Sequence, residues 1–481
     1  MATSRRVSLL CKRILTGMLA GAFSLLNAAE IKIDFGSVKG RMKPEHGVGQ
    51  PPKTGTSGKM YHYLKEAGIP YSRLHDVGGW HGQNMFVDIP NVFRDFNADE
   101  NDPASYDFSF TDVLLKDLVA NGVEPYYRLG VTIENFFAIK RMRTFPPEDF
   151  GKWARICEHV IRHYTEGWAN GFRYKITYWE IWNEPDGKGM WSGTFEEFCR
   201  LYEVASKHLK SCFPNLKIGG YASCGLFSLV QKAPPPRTLY SKKCVDDFFR
   251  YVKDHACPLD FFSIHAYDKE DALLVPDAMK VYAKYCRDEL DKIGYGHTEL
   301  SMNEWLPNWS TPGSARQAAL CAAILIGLQD SAFDNAMIYD ARVGIGKYSP
   351  LFDPSTMKPR LAYWAFCNFN ELYRLGKQVA VTGMPENVYA IAATDGSGIG
   401  KLFVANIGND SAQFEVSASG WSVFSFQLTD EFHVNTVVNV LGSTLSLPAD
   451  SFGVLTFRRL TCIGCKRNDS MFLQSTNRHE T

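Results

Sequence analysis

The run Tyr178-Trp-Glu-Ile-Trp-Asn-Glu-Pro185 sets an Asn-Glu pair where a strand-like apolar segment meets a proline. Proline offers no N–H to a β-ladder, so Asn183 and Glu184 fall at a strand's carboxyl end with side chains free to meet a ligand. A second strand-like run ends the same way in Leu300-Ser-Met-Asn-Glu304-Trp305. Two carboxylates on the ends of two separate buried strands are what cleavage of a glycosidic bond needs. One protonates the leaving oxygen, and the other attacks the sugar or activates water. Trp182 and Trp191 give Glu184 apolar neighbours, which raise a carboxyl pKa and suit a general acid. Glu304 is then the carboxylate that attacks the anomeric carbon, and Asn183 donates to the hydroxyl next to it.

Other polar groups end nearby strand-like runs. In Asp260-Phe-Phe-Ser-Ile-His265-Ala-Tyr267, His265 or Tyr267 is placed to hydrogen-bond Glu304. In Arg73-Leu-His75, His75 meets substrate while Arg73 holds a carboxylate ionised. Glu180 reads as a barrel-interior partner of Arg73 or Arg128. Tyr339 and Asp340 line the pocket, and Trp305 and Trp309 are placed to stack on a sugar ring. Zinc is the rival chemistry: His75, Asp76, His81 and His265 supply ligand types, but their spacing matches no ligand pattern, and no metal or cofactor is expected. Asn308-Trp-Ser310 fits a glycosylation acceptor, yet a glycan there would crowd the pocket, so it is expected to go unused.

The elements that must carry these residues are legible in the periodicity. From about His46 to Leu375, β-rich apolar runs alternate with amphipathic helical runs. Strands are expected at Pro70–Leu74, Val123–Leu129, Ile176–Asn183, Leu216–Tyr221, Asp260–His265, Thr298–Glu304 and Asn335–Tyr339, with a first near His46. Helices are expected at Asp149–Tyr164, Thr194–Cys212 and Ala315–Gln329, the last two behind Ser192-Gly-Thr194 and Ser310-Thr311. Eight β-then-α units make an α/β fold, a (β/α)8 TIM barrel whose strand-end loops build the site. A doubly wound sheet is the alternative, but no glycine-rich phosphate loop follows the first strand. Past Gly376 the pattern changes to short alternating runs at Val379–Ala393, Lys401–Ile407, Ala412–Val416, Ser422–Leu428, Val434–Val440 and Leu445–Phe457, an antiparallel β-sandwich. Ile31–Phe35 adds a strand to it. The expected divisions are a leader at 1–29, the joining strand at 30–45, the barrel at 46–376, the sandwich at 377–459 and a disordered tail at 460–481.

The 481 residues carry 52 Lys plus Arg against 52 Asp plus Glu, a balance that favours neither nucleic acid nor an anionic membrane. The leader has a basic region (Arg5, Arg6, Lys12, Arg13), an apolar one (Ile14–Leu26) and a small-residue end at Asn27-Ala-Ala29. It reads as a signal peptide, so the mature chain is expected secreted or periplasmic and off the membrane after cleavage. Cys157, Cys199, Cys286, Cys321 and Cys367 lie singly in helical surroundings and read as buried thiols. Cys462 and Cys465 form a lone CxxC without a histidine pair. Nothing in the pattern sets an oligomeric state.

Taken together, Trp182-Asn-Glu-Pro185, Phe262-Ser-Ile-His265-Ala-Tyr267 and Glu304-Trp305 resemble the retaining glycosidases of clan A, and within it glycoside hydrolase family 39, with its β-xylosidases and α-L-iduronidases. Lys43-Pro-Glu-His-Gly-Val48, Arg73-Leu-His75, Pro146-Pro-Glu-Asp-Phe-Gly-Lys-Trp153 and Lys358-Pro-Arg-Leu-Ala-Tyr-Trp364 extend the resemblance over His46 to Phe457. It implies net retention, Glu184 as acid/base, Glu304 as nucleophile and an oligosaccharide or glycoside substrate. The stretch Asp76-Val-Gly-Gly-Trp80 and the acidic residues Asp95, Asp99, Glu100 and Asp102 depart from the xylosidase pattern where the sugar is read. The expected activity is exo-removal of a terminal β-xyloside or related sugar. The alternatives are an α-L-iduronidase, α-L-arabinosidase or β-galactosidase specificity, endo-cleavage or transglycosylation, and a non-catalytic carbohydrate-binding protein.

Overall fold

The computed structural model describes residues 29–52, 60–75, 87–131, 144–187, 189–269, 273–343, 348–440 and 442–460. Eight parallel strands close into a barrel: β2 (Gly47–Gly49), β3 (Tyr71–Leu74), β4 (Glu124–Leu129), β5 (Tyr178–Ile181), β6 (Lys217–Ser223), β7 (Phe261–Tyr267), β8 (Glu299–Leu306) and β9 (Asn335–Ile338). The ring is shut by β2 pairing with β9 as well as β3. Helices α1 (Tyr61–Glu66), α2 (Ile89–Val92), α3 (Ser109–Ala120), α4 (Phe150–Thr165), α5 (Phe195–Cys212), α6 (Pro236–Asp254), α7 (Pro276–Lys292), α8 (Ala315–Gln329) and α9 (Leu361–Tyr373) follow along the chain. Local chemistry sets their ends. Asp149 caps α4, and Thr194 with Glu197 forms a full capping box on α5. The cap of α8 is Ser314, not the Ser310-Thr311 pair expected, because Ser310 and Thr311 bond the Asn308 side chain instead.

The barrel interior is layered by strand alternation. Tyr71, Tyr126, Tyr178, Phe261 and Met337 fill a lower layer. Two residues further along the strands the filling turns polar, with Arg73, Glu180 and Ser263 buried. A bulge in β8 breaks the alternation: Met302 pairs with Ile264 but Glu304 with His265, leaving Asn303 as the extra residue. Asn303 and Glu304 therefore both reach inward, and Trp305 turns outward.

The remaining strands form a nine-stranded sheet: β1 (Ala29–Arg41), β10 (Lys377–Thr382), β11 (Val388–Thr394), β12 (Ile399–Asn406), β13 (Ala412–Ala418), β14 (Trp421–Thr429), β15 (Thr436–Val438), β16 (Thr444–Leu447) and β17 (Ser451–Arg459). Its order is β15-β14-β17-β12-β11-β10-β1-β13-β16, and all pairs are antiparallel except β1 with β13. Phe414 and Leu447 from one end share a core with Phe426 and Leu455 from the other, so the sheet folds over itself as a sandwich. Two runs expected as single strands are each split by a turn. Gly383 and Asn387, at positive φ, divide Val379–Ala393, and Asp450, also at positive φ, divides Leu445–Phe457 after Pro448. The sheet docks on α8 and α9, with Arg316 bridging to Asp450 and Lys401 to Glu371.

Among the described residues no helix is long and apolar enough to cross a membrane. All nine described cysteines are free; of those expected buried, Cys157, Cys199, Cys286 and Cys321 are so and Cys367 is half-buried. Asp76, His81, Cys462, Cys465, all of the leader but Ala29 and all of the tail but Leu460 lie outside the described residues.

Candidate active site

Glu184 leaves the end of β5 through a kinked backbone. Trp182 and Glu184 both have left-handed φ (71° and 47°), and their N–H groups are tied to Leu129 and Ala222 carbonyls on either side at 2.7 and 3.0 Å. Such conformations cost roughly 1–3 kcal/mol each for a side-chain-bearing residue and persist because the neighbouring strands hold them. Behind the kink, the buried Asp186 accepts from Ser223 Oγ (2.8 Å) and the Cys224 N–H (3.1 Å), fixing the loop to β6. Burial pushes the Asp186 carboxyl up to about 7.

Glu304 faces Glu184 across the barrel mouth. One oxygen of each lies with His265 Nδ1 in a cluster whose atoms are all within 4.8 Å of one another. His265 Nδ1 is 2.7 Å from Glu184 Oε1 and 3.4 Å from Glu304 Oε2. Tyr267 donates its O–H to Glu304 Oε2, and Arg73 Nη1 donates to Glu304 Oε1. Arg73 is a buried three-way fork: its Nε meets Glu180 Oε2 at 2.6 Å and its Nη2 meets Asn183 Oδ1 at 2.7 Å. Ser263 Oγ and Asn303 Nδ2 complete Glu180 at 2.5 Å each. Glu180 is thus the interior partner of Arg73 that the strand pattern implies, while Arg128 pairs with Asp88 instead.

The environments of the two glutamates differ. Burial raises Glu184 to about 7, against smaller downward pulls from Arg73, the Cys224 thiol and Arg237. Its side chain nevertheless keeps 16% of its surface, so it reaches the open cleft. Glu304 keeps 6% and receives donors on both oxygens. Burial lowers His265 to about 4, so the ring is neutral near pH 7 and does not cancel the charge on Glu304. His75 is pushed well below its ordinary value, by burial first and then by Arg128 and Arg73.

A cleft of about 600 Å³ opens above these groups. Asn183, Glu184, Glu304, His75, Tyr267, Tyr339 and Trp309 line it, as expected from the strand ends. Four expectations need correcting. Trp305 does not face a sugar: the bulge turns it outward, and its ring is fully buried parallel to Phe366 of α9 at 6.1 Å. His265 is fully buried and meets carboxylates, chiefly Glu184, rather than the cleft or Glu304 alone. The apolar wall attributed to Trp182 and Trp191 is real but faces away, their rings packing edge-to-face at 4.9 Å with the Trp182 indole bonded to the Met190 carbonyl. Asp340 is fully buried and pairs with Arg342 rather than lining the cleft.

Sequence reasoning missed Met190, Arg237, Asp268, Lys269, Leu273 and Tyr348, which also line the cleft. All lie beyond the strand ends, in loops or, for Arg237, in the first turn of α6, where no periodicity marks them. As a cation site the cluster is ill-suited, since Arg73 already places a guanidinium charge on Glu304. Of the four rival ligands, Asp76 and His81 lie outside the described residues.

A family model, Glycosyl hydrolases family 39, matches residues 58–342, more than half of the chain. The chain belongs to this family. It is 25% identical over 266 residues to a β-xylosidase of Geobacillus stearothermophilus, covering 51% of this chain and 49% of that one. To a β-xylosidase of Caldicellulosiruptor saccharolyticus it is 28% identical over 240 residues, 47% and 42% of the two chains. The match thus spans about half the length of these family 39 relatives. In fold the chain is similar to a glucosidase from Croceicoccus marinus, with a TM-score of 0.72 at 22% identity over 90% of this chain and all of that one. A monomeric β-xylosidase from Caulobacter crescentus CB15 gives 0.65 at 16% over the same shares. These likenesses confirm the barrel with its accessory sheet.

Proposed function

We propose that the chain is an exo-acting retaining glycoside hydrolase that removes a terminal β-xyloside or related sugar by double displacement. The observation that carries this reading is the cluster spacing: the Glu184 and Glu304 oxygens approach within 4.8 Å. Retaining enzymes hold their two carboxyls about 5–5.5 Å apart, whereas inverting ones leave about 6.5–9.5 Å for a water. The two β-xylosidase relatives support the choice of sugar. A cleft of about 600 Å³ with Tyr339, Tyr348 and Trp309 on its walls suits a chain end better than an extended polymer.

In the first step Glu304, ionised and aimed by Arg73 and Tyr267, attacks the anomeric carbon while Glu184 gives its proton to the leaving oxygen. The C–O bond to the leaving group breaks as the ester to Glu304 forms. Arg73 holds the Asn183 carbonyl oxygen, which leaves the amide N–H₂ to donate to the neighbouring sugar hydroxyl. In the second step Glu184, now a carboxylate, takes a proton from water as the water attacks, and Glu304 is released. His265 Nδ1, 2.7 Å from Glu184 Oε1, holds that carboxyl in place against the cleft. We further propose that the leader directs export and is then removed, which N-terminal sequencing of the secreted chain tests.

The direct test is Glu304→Ala with added azide. Near-complete loss on aryl glycosides followed by azide-dependent formation of the inverted glycosyl azide is expected; no rescue at any azide concentration counts against Glu304 as nucleophile. An aryl panel of β-xyloside, α-L-arabinosides, β-galactoside and α-L-iduronide fixes the sugar. Failure to cleave any member would favour a carbohydrate-binding role.

A further inference from the structure

We propose that Arg237 is a specificity residue that selects glycosides carrying an anionic group, a carboxylate of the uronic-acid kind, on the leaving-group side of the scissile bond. Arg237 stands in the first turn of α6, in the connection that follows β6. On the barrel rim this lies between the ends of β5, which carries Glu184, and β8, which carries Glu304. Its side chain is exposed and lines the cleft together with Glu184 and Met190. Among the described residues no carboxylate pairs with it, unlike Arg73, Arg128 and Arg342, each committed to a buried acid. An exposed arginine on a cleft wall, with its five donors uncommitted, is built for bidentate capture of a carboxylate.

The side of the cleft follows from Glu184. A general acid sits against the leaving oxygen, so groups beside it face the leaving group rather than the sugar held over Glu304. Arg237 exerts its charge on Glu184 and on Cys224, which lies against the Glu184 loop. Lys269, from the loop after β7, lines the same cleft and adds a second positive charge. An anionic leaving group enters past Glu304 and Asp268, and a rim cation offsets their repulsion.

This inference rests on the hydrolase reading above, and the experiment separates the two. On the sugar that the panel selects, kcat and KM are measured for 3- and 4-carboxyphenyl glycosides against their neutral carbamoylphenyl counterparts. The wild-type chain is expected to show a KM about three- to tenfold lower for the acids, the range of an exposed to partly desolvated ion pair, with the preference shrinking in 1 M salt. In Arg237→Gln the ratio should fall to about one, and Arg237→Lys should keep part of it. Turnover of both members with equal KM, or an acid preference that survives in Arg237→Gln, overturns this inference and leaves the hydrolase reading standing. Failure of every aryl glycoside in the panel overturns both.

Discussion

Replacing Glu184 with glutamine isolates the acid/base role, because the carboxyl's ionisation is tuned by its surroundings. Its pKa is raised from 4.5 to about 7 by burial, with 16% of the side-chain surface left to solvent. A shift of that size is about 3 kcal/mol in favour of the protonated form. In the wild-type chain kcat/KM should therefore fall about tenfold per pH unit above about 7, as the acid loses its proton. Glu184→Gln should abolish that limb and cost about 10²–10⁴-fold on a natural disaccharide. A 2,4-dinitrophenyl glycoside, whose leaving group departs without a proton, should lose far less in glycosylation. Stability should move the other way. A carboxyl whose folded pKa is raised stabilises fully below its unfolded pKa and loses that contribution as pH rises through the folded value. Above pH 7 the glutamine variant should thus be more stable than wild type by up to about 3 kcal/mol, and at pH 4 no different. Urea midpoints at pH 4 and 8 read the second effect, and pH–rate profiles on the two substrates the first. Equal losses on both substrates, or a limb that survives the substitution, would refute the acid role.

Tyr267→Phe removes one donor from the ionised Glu304; kcat should fall about 10–100-fold, the worth of a hydrogen bond to a charged group, with the fold unchanged by circular dichroism. Arg73→Met leaves Glu180 and Glu304 without their buried cation and should cost about 3–5 kcal/mol in denaturant unfolding, along with activity. Trp305→Ala should cost about 3–5 kcal/mol through the cavity beside Phe366, whereas Trp305→Phe should leave KM unchanged; a raised KM in Trp305→Phe would restore the stacking role.

Much of this site was readable because strand ends carry their own punctuation. Pro185 marks where β5 must stop, so Glu184 could be placed at the mouth from composition alone. Two-residue periodicity placed Glu180 inside the barrel with Arg73 or Arg128 as its partner, and the structure pairs it with Arg73. Trp305 failed for a physical reason: the extra residue in β8 shifts the facing of everything after Asn303, and no residue type in that run announces a bulge. His265 was placed on the right face but not the right depth, since the extra residue Asn303 in β8 sets its register against Glu304. Trp182 misled because its positive φ throws the indole toward α4 and Trp153, a backbone choice invisible in propensity. Arg237 and Lys269 lie in connections whose path is set by tertiary packing, so nothing local marked them as cleft residues.

Product stereochemistry measured early in turnover, before mutarotation, tests double displacement most directly. Proton NMR of the released sugar should show the same anomeric configuration as the substrate, as attack by Glu304 followed by water on the same centre requires. First-formed sugar of the opposite configuration would mean that water, not Glu304, strikes the anomeric carbon, and would contradict the reading of the 4.8 Å cluster as a nucleophile facing its acid.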